Sequence, residues 1–510
     1  MNQGSPPRLL IAGLRGGSGK TLVSLGLAAA WRKRGYSVAP FKKGPDYIDA
    51  SWLTVAAGRP CRNLDLFFFS PATAVGSFLE GSRGTEVALI EGNRGLYDGM
   101  DPEGTYSSAE LAKLLRAPVL LSVDATKTTR TAAALVLGCK TLDPDVPLAG
   151  VILNRCAGSR HESVLRQSME GICGLPVLGA IPKLPEEVFP ERHLGLVPPQ
   201  ETEESESPLE RVRRVAEEHL DLEGILEVAR SAEQLERPRR NGPNRSGPER
   251  IPGRGSEPPQ VRTVEPQQPG APEAGRSVAR GPEPPSTGAN DSGQARARIG
   301  VFRDAAFQFY YPENLEALKK AGGELVEISP LDAEALPAVD ALYLGGGFPE
   351  TLALGLSSNT SFMADVREAA VGGMPIYAEC GGAVYLGRRL HYQGRDHDMV
   401  GFLPVEYGFQ ARPRGHGYTV LEVTRENPFY LPGETVRGHE FHYTYLLSPD
   451  SEGLSFVFRV HRGYGFDGRH DGLRLENVLA SYTHVHALGT EGWAPSFLRA
   501  ATRFKSRPAP

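Results

Sequence analysis

Short, unbroken apolar runs separated by helical stretches set the rhythm of the first two hundred residues. Leu9–Ala12, Ser37–Phe41, Val87–Glu91, Val119–Asp124, Ala149–Asn154 and Val177–Ile181 read as strands. Continuous apolar strands between helices belong to a parallel sheet covered on both faces. A charged helix is predicted over Pro208–Gln234. The pattern then stops. From Arg237 to Arg296 Pro, Gly, Ser, Arg and Glu dominate and aliphatic residues nearly vanish. Such a stretch buries too little apolar surface to offset its ordering entropy and is predicted to be a disordered linker. Periodicity returns with Arg298-Ile-Gly-Val-Phe302, a strand opening a second α/β domain. A helix over Asn314–Ala321 and strands at Glu324–Ile328, Ala341–Leu344 and Pro375–Glu379 follow. Alternating aromatic and β-branched residues at Tyr418–Val423 and Glu476–Tyr482 predict added antiparallel strands. The expected layout is a first α/β domain over 8–199, a charged helical segment over 200–236, a linker over 237–297 and a second domain over 298–500.

Composition narrows the class without naming a chemistry. A chain of 510 residues has room for two to four domains, each with its own core. The net charge of −5 gives no reason to expect nucleic acid or an anionic membrane as partner. Five cysteines form no CxxC pair or disulfide-like spacing, which fits a reducing compartment. No apolar run approaches the roughly 18 residues of a membrane helix, and the N-terminus lacks a signal-peptide layout. A cytoplasmic location is the resulting expectation.

The first chemistry lies in Arg8-Leu-Leu-Ile-Ala-Gly-Leu-Arg-Gly-Gly-Ser-Gly-Lys-Thr21, a strand, a glycine loop and the start of a helix over Leu22–Arg32. Gly13, Gly16, Gly17 and Gly19 let the backbone wrap a phosphate chain, and the helix N-terminus points amides at the same anion. Lys20 is placed to reach the β/γ-phosphates and Thr21 to ligate magnesium. The spacing resembles the "deviant" P-loop branch, with Arg15 at the place of that branch's signature lysine. ATP is therefore the expected nucleotide. Acidic residues follow the strand ends, where ligands bind in an open parallel sheet. Lys42-Lys43-Gly44-Pro45-Asp46-Tyr47-Ile48-Asp49 comes after the second strand, Glu91 to Asp98 after the third, and Asp124 closes the fourth. Asp46 and Glu91 join Thr21 as expected magnesium ligands, while Lys42, Tyr47, Asp49 and Asp98 are expected around substrate and phosphate. Each acid could equally cap its loop. Asn154 resembles the adenine-reading asparagine of related P-loop proteins; a turn bond to the backbone is the alternative.

The second half carries Tyr377-Ala378-Glu379-Cys380-Gly381-Gly382, a cysteine on a tight turn between strand and helix. The helix N-terminus is expected to lower the thiol pKa, making Cys380 a nucleophile. Leu479-Ala-Ser-Tyr-Thr-His484-Val-His486 offers His484 as its base. Leu344-Gly345-Gly346-Gly347-Phe348 supplies a glycine loop whose Gly346 amide, with that of Gly381, is expected to form an oxyanion hole.

A cysteine elbow, a Gly-Gly-Gly loop and a downstream Tyr-x-His resemble a class I glutamine amidotransferase domain. The histidine's usual glutamate partner stands two residues on, and His486 occupies that place. This departure is similar to the amidotransferase branch of cobalamin synthesis, and it leaves open what orients His484. Joined to a dethiobiotin-synthetase-like P-loop domain and to Gly438-His439-Glu440-Phe441-His442-Tyr443, it resembles the cobyrinate a,c-diamide synthase family. The long linker is not typical of that family, and the roles of His439 and His442 do not follow from their spacing. The resemblance implies ATP- and glutamine-dependent amidation of the a- and c-acetates of cobyrinate or hydrogenobyrinate through acyl phosphates. Its partners are the tetrapyrrole, ATP and L-glutamine, with a homodimer left open. Two rivals stand beside it. One is an amidase of sirohaem or nickel-sirohydrochlorin; the other is a P-loop ATPase switch with a non-catalytic second domain.

Overall fold

The computed structural model describes residues 5–184, 191–192, 195–196, 208–236, 296–447 and 454–507. The predicted linker, up to residue 295, lies outside the described residues, as does 200–207 of the charged segment. The described residues flanking the linker belong to one compact unit.

The first half contains strands β1 (Arg8–Gly13), β2 (Val38–Lys43), β3 (Arg62–Leu64), β4 (Val87–Glu91), β5 (Val119–Asp124), β6 (Leu148–Cys156) and β7 (Val177–Pro182). Helices α1 (Lys20–Lys33), α2 (Ile48–Ala57), α3 (Pro71–Gly81), α4 (Ser108–Leu114), α5 (Arg130–Leu142) and α6 (Ser159–Ser168) lie between them. The strands form one seven-stranded sheet in the order β3-β2-β4-β1-β5-β6-β7, with every pairing parallel. Side-chain alternation in β1 splits two cores. Leu10 and Ala12 join Phe41, Ile90 and Val123 on one face, while Leu9 and Ile11 join Val23, Leu27 and Trp31 of α1 on the other. Both faces are covered, as the continuous apolar runs predicted.

The charged segment is two helices, α7 (Pro208–His219) and α8 (Leu222–Arg230). The break has a local cause. Asp221 caps α8 by accepting from the Gly224 N–H (3.0 Å), and its own N–H is spent on the Leu178 carbonyl of β7 (2.8 Å). Gly26 lets α7 lie directly on α1, since a Cβ there would come 2.7 Å from that of Ala216.

The second half opens with β8 (Arg298–Phe302), α9 (Pro312–Ala321), β9 (Glu324–Ile328) and β10 (Ala341–Leu344). Helices α10 (Ala353–Ser358) and α11 (Thr360–Val371) lead to β11 (Ile376–Glu379) and α12 (Gly381–Leu386). Strands β12 (Gly415–Val423), β13 (Thr435–His442), β14 (Ser455–Arg462), β15 (His470–Leu475), β16 (Val478–Ser481) and β17 (His484–Val485) follow, and α13 (Trp493–Lys505) closes the fold. The sheet runs β9-β8-β10-β11-β16-β15-β14-β12-β13-β17. Its pairings are parallel as far as β16 and antiparallel beyond. Glu476–Tyr482, predicted as an antiparallel addition, contains β16, which is parallel to β11 and antiparallel only to β15, whereas Tyr418–Val423 lies in β12 among the antiparallel strands beyond it. They carry the last strand, β17, back beside the elbow that follows β11. The fold is α/β throughout, with a parallel sheet in the first half and a mixed sheet in the second.

Candidate active site

The first constellation grows from the carboxyl end of β1. Gly17 and Gly19 hold φ of +72° and +92°, where any side chain would be strained. Ser18 Oγ donates to the Arg15 carbonyl (2.9 Å), closing the loop on itself. Lys20 Nζ donates to the same carbonyl (3.3 Å), and burial, then the charge of Lys42, lowers its pKa. Thr21, in the first turn of α1, donates its hydroxyl to Glu91 Oε1 (2.7 Å). Lys42 Nζ joins Glu91 Oε1 (2.8 Å) and Asp49 Oδ2 (2.6 Å), while Asp46 Oδ1 accepts from the Asp49 N–H (2.7 Å). Three carboxylates thus crowd around one buried ammonium. Burial, then Asp49, raises the Asp46 pKa to about 7, and burial raises that of Glu91. On Lys42 burial acts the other way, but Asp49 and Glu91 outweigh it and raise its pKa.

Glu91 Oε2 is buried without a hydrogen-bond partner. An orphaned carboxylate oxygen beside the Thr21 hydroxyl, in a cluster with surplus negative charge, fits a hard divalent cation. Among the described residues no group of three or more His, Cys, Asp or Glu forms a metal cage. Magnesium, which retains most of its waters, requires none.

Other predicted residues brace this site. Both ends of the Asn154 amide are engaged, Nδ2 on the Ser18 carbonyl (3.2 Å) and Oδ1 on the Arg155 N–H (3.0 Å). The bond to Ser18 supports the glycine loop from behind. Asp98 Oδ2 accepts from the Gly95 N–H (2.7 Å) and so caps its own loop. Arg15, largely exposed, pairs with Asp124 (3.2 Å), which also meets Arg155 (2.9 Å). Burial opposes ionisation of Asp124, but hydrogen bonds from Thr126 and Arg15 outweigh it and bring its pKa to about 2. Arg155 was not expected here; it also donates to the Gly17 carbonyl (3.2 Å).

The second constellation surrounds Cys380. The cysteine sits between β11 and α12 at φ +48°, ψ −102°, a strained conformation typical of functional turns. A Cβ on Gly381 would lie 3.1 Å from the Gly347 nitrogen, so the elbow and the glycine loop face each other closely. The thiol is buried and donates to the Phe441 carbonyl (3.7 Å). Its pKa is raised, not lowered: burial, then the charge of Glu350, prevails over the first amide of α12. The expectation of a helix-activated thiol is therefore corrected, and the thiolate needs a base.

His484 is the expected base. It lies on β17 in register with His439 of β13, and it is buried. Gly346 admits it, because a Cβ at that position would lie 2.3 Å from His484 Cε1. Its Nδ1 faces Glu379 Oε2 at 3.4 Å. His439 itself is held neutral, its pKa pushed well down by burial and then by His484. His442 turns away, with Nδ1 on the Thr444 carbonyl (2.9 Å) and its ring stacked on Tyr482 (3.6 Å). His486 also points elsewhere: Nε2 faces Glu313 (3.6 Å), and the ring packs between Phe69 (5.0 Å) and Tyr311 (4.7 Å).

These last contacts join the two halves. Phe67, Phe68 and Phe69 of the loop after β3 share an apolar cluster with Tyr311 and Val420. Tyr418 donates to Asp65 (2.7 Å), Tyr311 to the Pro45 carbonyl (3.1 Å), and Arg62 Nη2 to both carboxylate oxygens of Glu316 (2.7 Å each). Tyr47, expected beside substrate and phosphate, lies against His484. Its ring stacks on Tyr311 (4.5 Å) and Phe309 (5.2 Å) and lies 5.2 Å from that of His484. Asp46 and Tyr47 are sequence neighbours, yet they face different constellations.

Comparison with known proteins agrees with this pairing of sites. Residues 9–194 match the CobQ/CobB/MinD/ParA nucleotide binding domain, and residues 298–492 match the CobB/CobQ-like glutamine amidotransferase domain. A cobyrinate a,c-diamide synthase of Magnetococcus marinus is 42% identical over 97% of this chain and 97% of its own. Those of Archaeoglobus fulgidus (38%, covering 98% of each chain) and Methanosarcina acetivorans (36%, covering 99% of this chain and 98% of its own) are similar at full length. The chain belongs to the cobyrinate a,c-diamide synthase family. It is thus a glutamine-dependent amidotransferase ligase with a nucleotide-binding domain, which sets aside the switch-protein alternative. No described helix is long and apolar enough to cross a membrane.

Two features of the site had no reading in the sequence. Phe67-Phe68-Phe69 is a run of three aromatic residues in a loop between short elements, a signal of a buried contact with something beyond its own sheet. Glu379 lies in the elbow motif, where its sequence neighbours point to no task for it.

Proposed function

We propose that this chain amidates the a- and c-acetate side chains of cobyrinate or hydrogenobyrinate, using ATP and glutamine. Amide formation from a carboxylate is uphill in water until its oxygen becomes a leaving group. The first half, over 8–199, converts the carboxylate to an acyl phosphate by positioning and charge neutralisation. Arg15 and the amides of Gly16, Gly17 and Gly19 cradle the phosphates, Lys20 bridges the β/γ-phosphates, and Asn154 braces the loop. Thr21, Glu91 and Asp46 would hold magnesium, which neutralises charge on the transferring phosphoryl group. Lys42, Asp49 and Asp98 orient the carboxylate and the phosphate that caps it.

The second half, over 298–500, releases ammonia. Cys380 attacks the γ-amide of glutamine with His484 as base, and amides of Gly346 and Gly381 receive the oxyanion. Ammonia must reach the acyl phosphate before bulk water protonates it. The observation that carries this reading is the Lys42–Asp49 loop. Its Lys42, Asp46 and Asp49 cluster with Glu91 and Thr21, while its Tyr47 lies 5.2 Å from the His484 ring. The name shared by full-length relatives supports the same substrate. A cytoplasmic enzyme, with the homodimer still open, completes the proposal.

The test is direct. Purified protein is incubated with ATP, magnesium, glutamine and one tetrapyrrole at a time, and the products are weighed. Two successive amidations of cobyrinate or hydrogenobyrinate are expected. Turnover of nickel-sirohydrochlorin or sirohaem alone would overturn the substrate assignment.

A further inference from the structure

A histidine that carries a proton between thiol and leaving group needs one ring nitrogen fixed, so that the other presents its lone pair. The position two residues beyond His484 does not provide this, because His486 is committed to the contact with Glu313, Phe69 and Tyr311. Glu379 does. Its carboxylate has no solvent exposure. Oε1 accepts from the Val485 N–H (3.1 Å), and Oε2 accepts from the Tyr343 hydroxyl (3.2 Å) while facing His484 Nδ1 at 3.4 Å. It therefore grips β17 twice, by backbone and by ring. Asn314 locks the arrangement from outside: Nδ2 donates to the Tyr343 hydroxyl (3.2 Å) and to the Val485 carbonyl (2.8 Å).

Among the described residues, Glu379 is the carboxylate at ion-pair distance from His484. Besides the Cys380 thiol it is read to serve, the titratable groups beside that ring are Tyr47 and His439, neither of them a fixed anion. A buried carboxylate is costly unless a cation or several donors meet it, and the imidazole is the group here able to become that cation.

We propose that Glu379, the residue directly before the nucleophile, is the positioning carboxylate of the Cys380–His484 pair. It holds the proton on Nδ1 and stabilises the imidazolium formed when Nε2 takes the thiol proton. The assignment rests on the reading of Cys380 and His484 as the glutamine-hydrolysing pair. The Cys380 sulfur then attacks the γ-carbonyl carbon, forming a C–S bond. The C–N bond breaks, the proton on Nε2 moves to the departing nitrogen, and ammonia leaves. Water adds to the thioester carbonyl while His484 takes one of its protons, and C–S cleavage returns that proton to sulfur as glutamate is released. Glu379 stays ionised throughout.

Three variants test this: Glu379→Gln, Glu379→Asp and Cys380→Ala. In Glu379→Gln, glutamate release should fall by ~10²-fold or more, because a carboxamide no longer enforces the tautomer or stabilises the imidazolium. Ammonia-dependent amidation, carried by the other half, should stay within about twofold of the parent. Alkylation of Cys380 by iodoacetamide is followed peptide by peptide against pH, since four other cysteines are present. Its midpoint should move up by about one pH unit on losing the anion that supports the imidazolium, and Glu379→Asp should recover part of the shift. An alkylation profile in Glu379→Gln that overlays the parent's overturns the proposal. So does glutamate release near the parental rate, or a parallel loss of ammonia-dependent turnover, the mark of a folding role. Cys380→Ala separates the two layers. Glutamate release persisting in it would topple the pair itself, whereas a silent Cys380→Ala beside an active Glu379→Gln topples only the role of Glu379.

Discussion

Replacing Gly346 by alanine should disable glutamine hydrolysis through a steric overlap of about one ångström. The new Cβ would lie 2.3 Å from His484 Cε1, against an ordinary carbon–carbon contact of about 3.5–4.0 Å. Ring or loop must therefore move by more than ~1 Å to relieve the overlap. The ring has little room to retreat, with Glu379 Oε2 3.4 Å from Nδ1 and the Tyr47 ring centre 5.2 Å away. The loop is no freer, because the Gly346 carbonyl accepts from both the Gln308 and Phe309 N–H groups (3.0 Å each). A misplacement of that size costs on the order of 10²-fold in rate. Glutamate release by Gly346→Ala should fall by about that factor, with ammonia-dependent amidation retained. Both rates are read with saturating ATP and tetrapyrrole, alongside a thermal melt to show that the variant is folded. A folded Gly346→Ala that releases glutamate within twofold of the parent would refute the reasoning, since His484 would then tolerate displacement.

Three further outcomes follow from the same geometry. Cys380→Ala should lose glutamine-dependent but keep ammonia-dependent amidation, while Lys20→Ala should lose both; the nitrogen source is varied in one product assay. His484→Ala should cut glutamate release by ~10³-fold or more, whereas His486→Ala should cut it less than tenfold. The latter should instead destabilise the fold by about 3 kcal/mol in urea titration, as a buried ring is lost between the halves. Asp124 has its pKa depressed from 3.8 to about 2, so its bracket with Arg15 and Arg155 stabilises above pH ~4 and is lost as pH falls toward 2. Melting temperature against pH for Asp124→Asn should accordingly drop less steeply across that window than for the parent.

The parallel core was legible because strands buried on both faces leave continuous apolar runs, and Leu9–Ala12 and Val119–Asp124 are such runs. The glycine loop was legible for a different reason: its function constrains backbone conformation, which glycine reports directly. What could not be read depends on contacts remote in sequence. Burial makes the Cys380 thiol harder to ionise, and no local pattern reports how deep an elbow will sit. Glu379 and His484 meet only because β16 pairs with β11 and β17 returns beside the elbow. Tyr47 reads as one residue of an acidic loop until the fold stacks its ring on Tyr311 and Phe309 of the other half. The single charged helix became two because Asp221 has both a capping side chain and a backbone partner on β7.

The shared loop between Lys42 and Asp49 also limits how modular this enzyme is. Each half looks like an exchangeable cassette, joined by a stretch of chain where a graft would naturally be cut. Yet the aromatic wall beside His484 is built partly from Tyr47, which belongs to the other cassette, and Tyr311 answers it from the amidotransferase side. A chimera that takes its halves from two relatives inherits two complete catalytic inventories and a mismatched seam. Inheritance should therefore act on the seam as a unit: Tyr47, Phe309 and Tyr311 must change together or not at all.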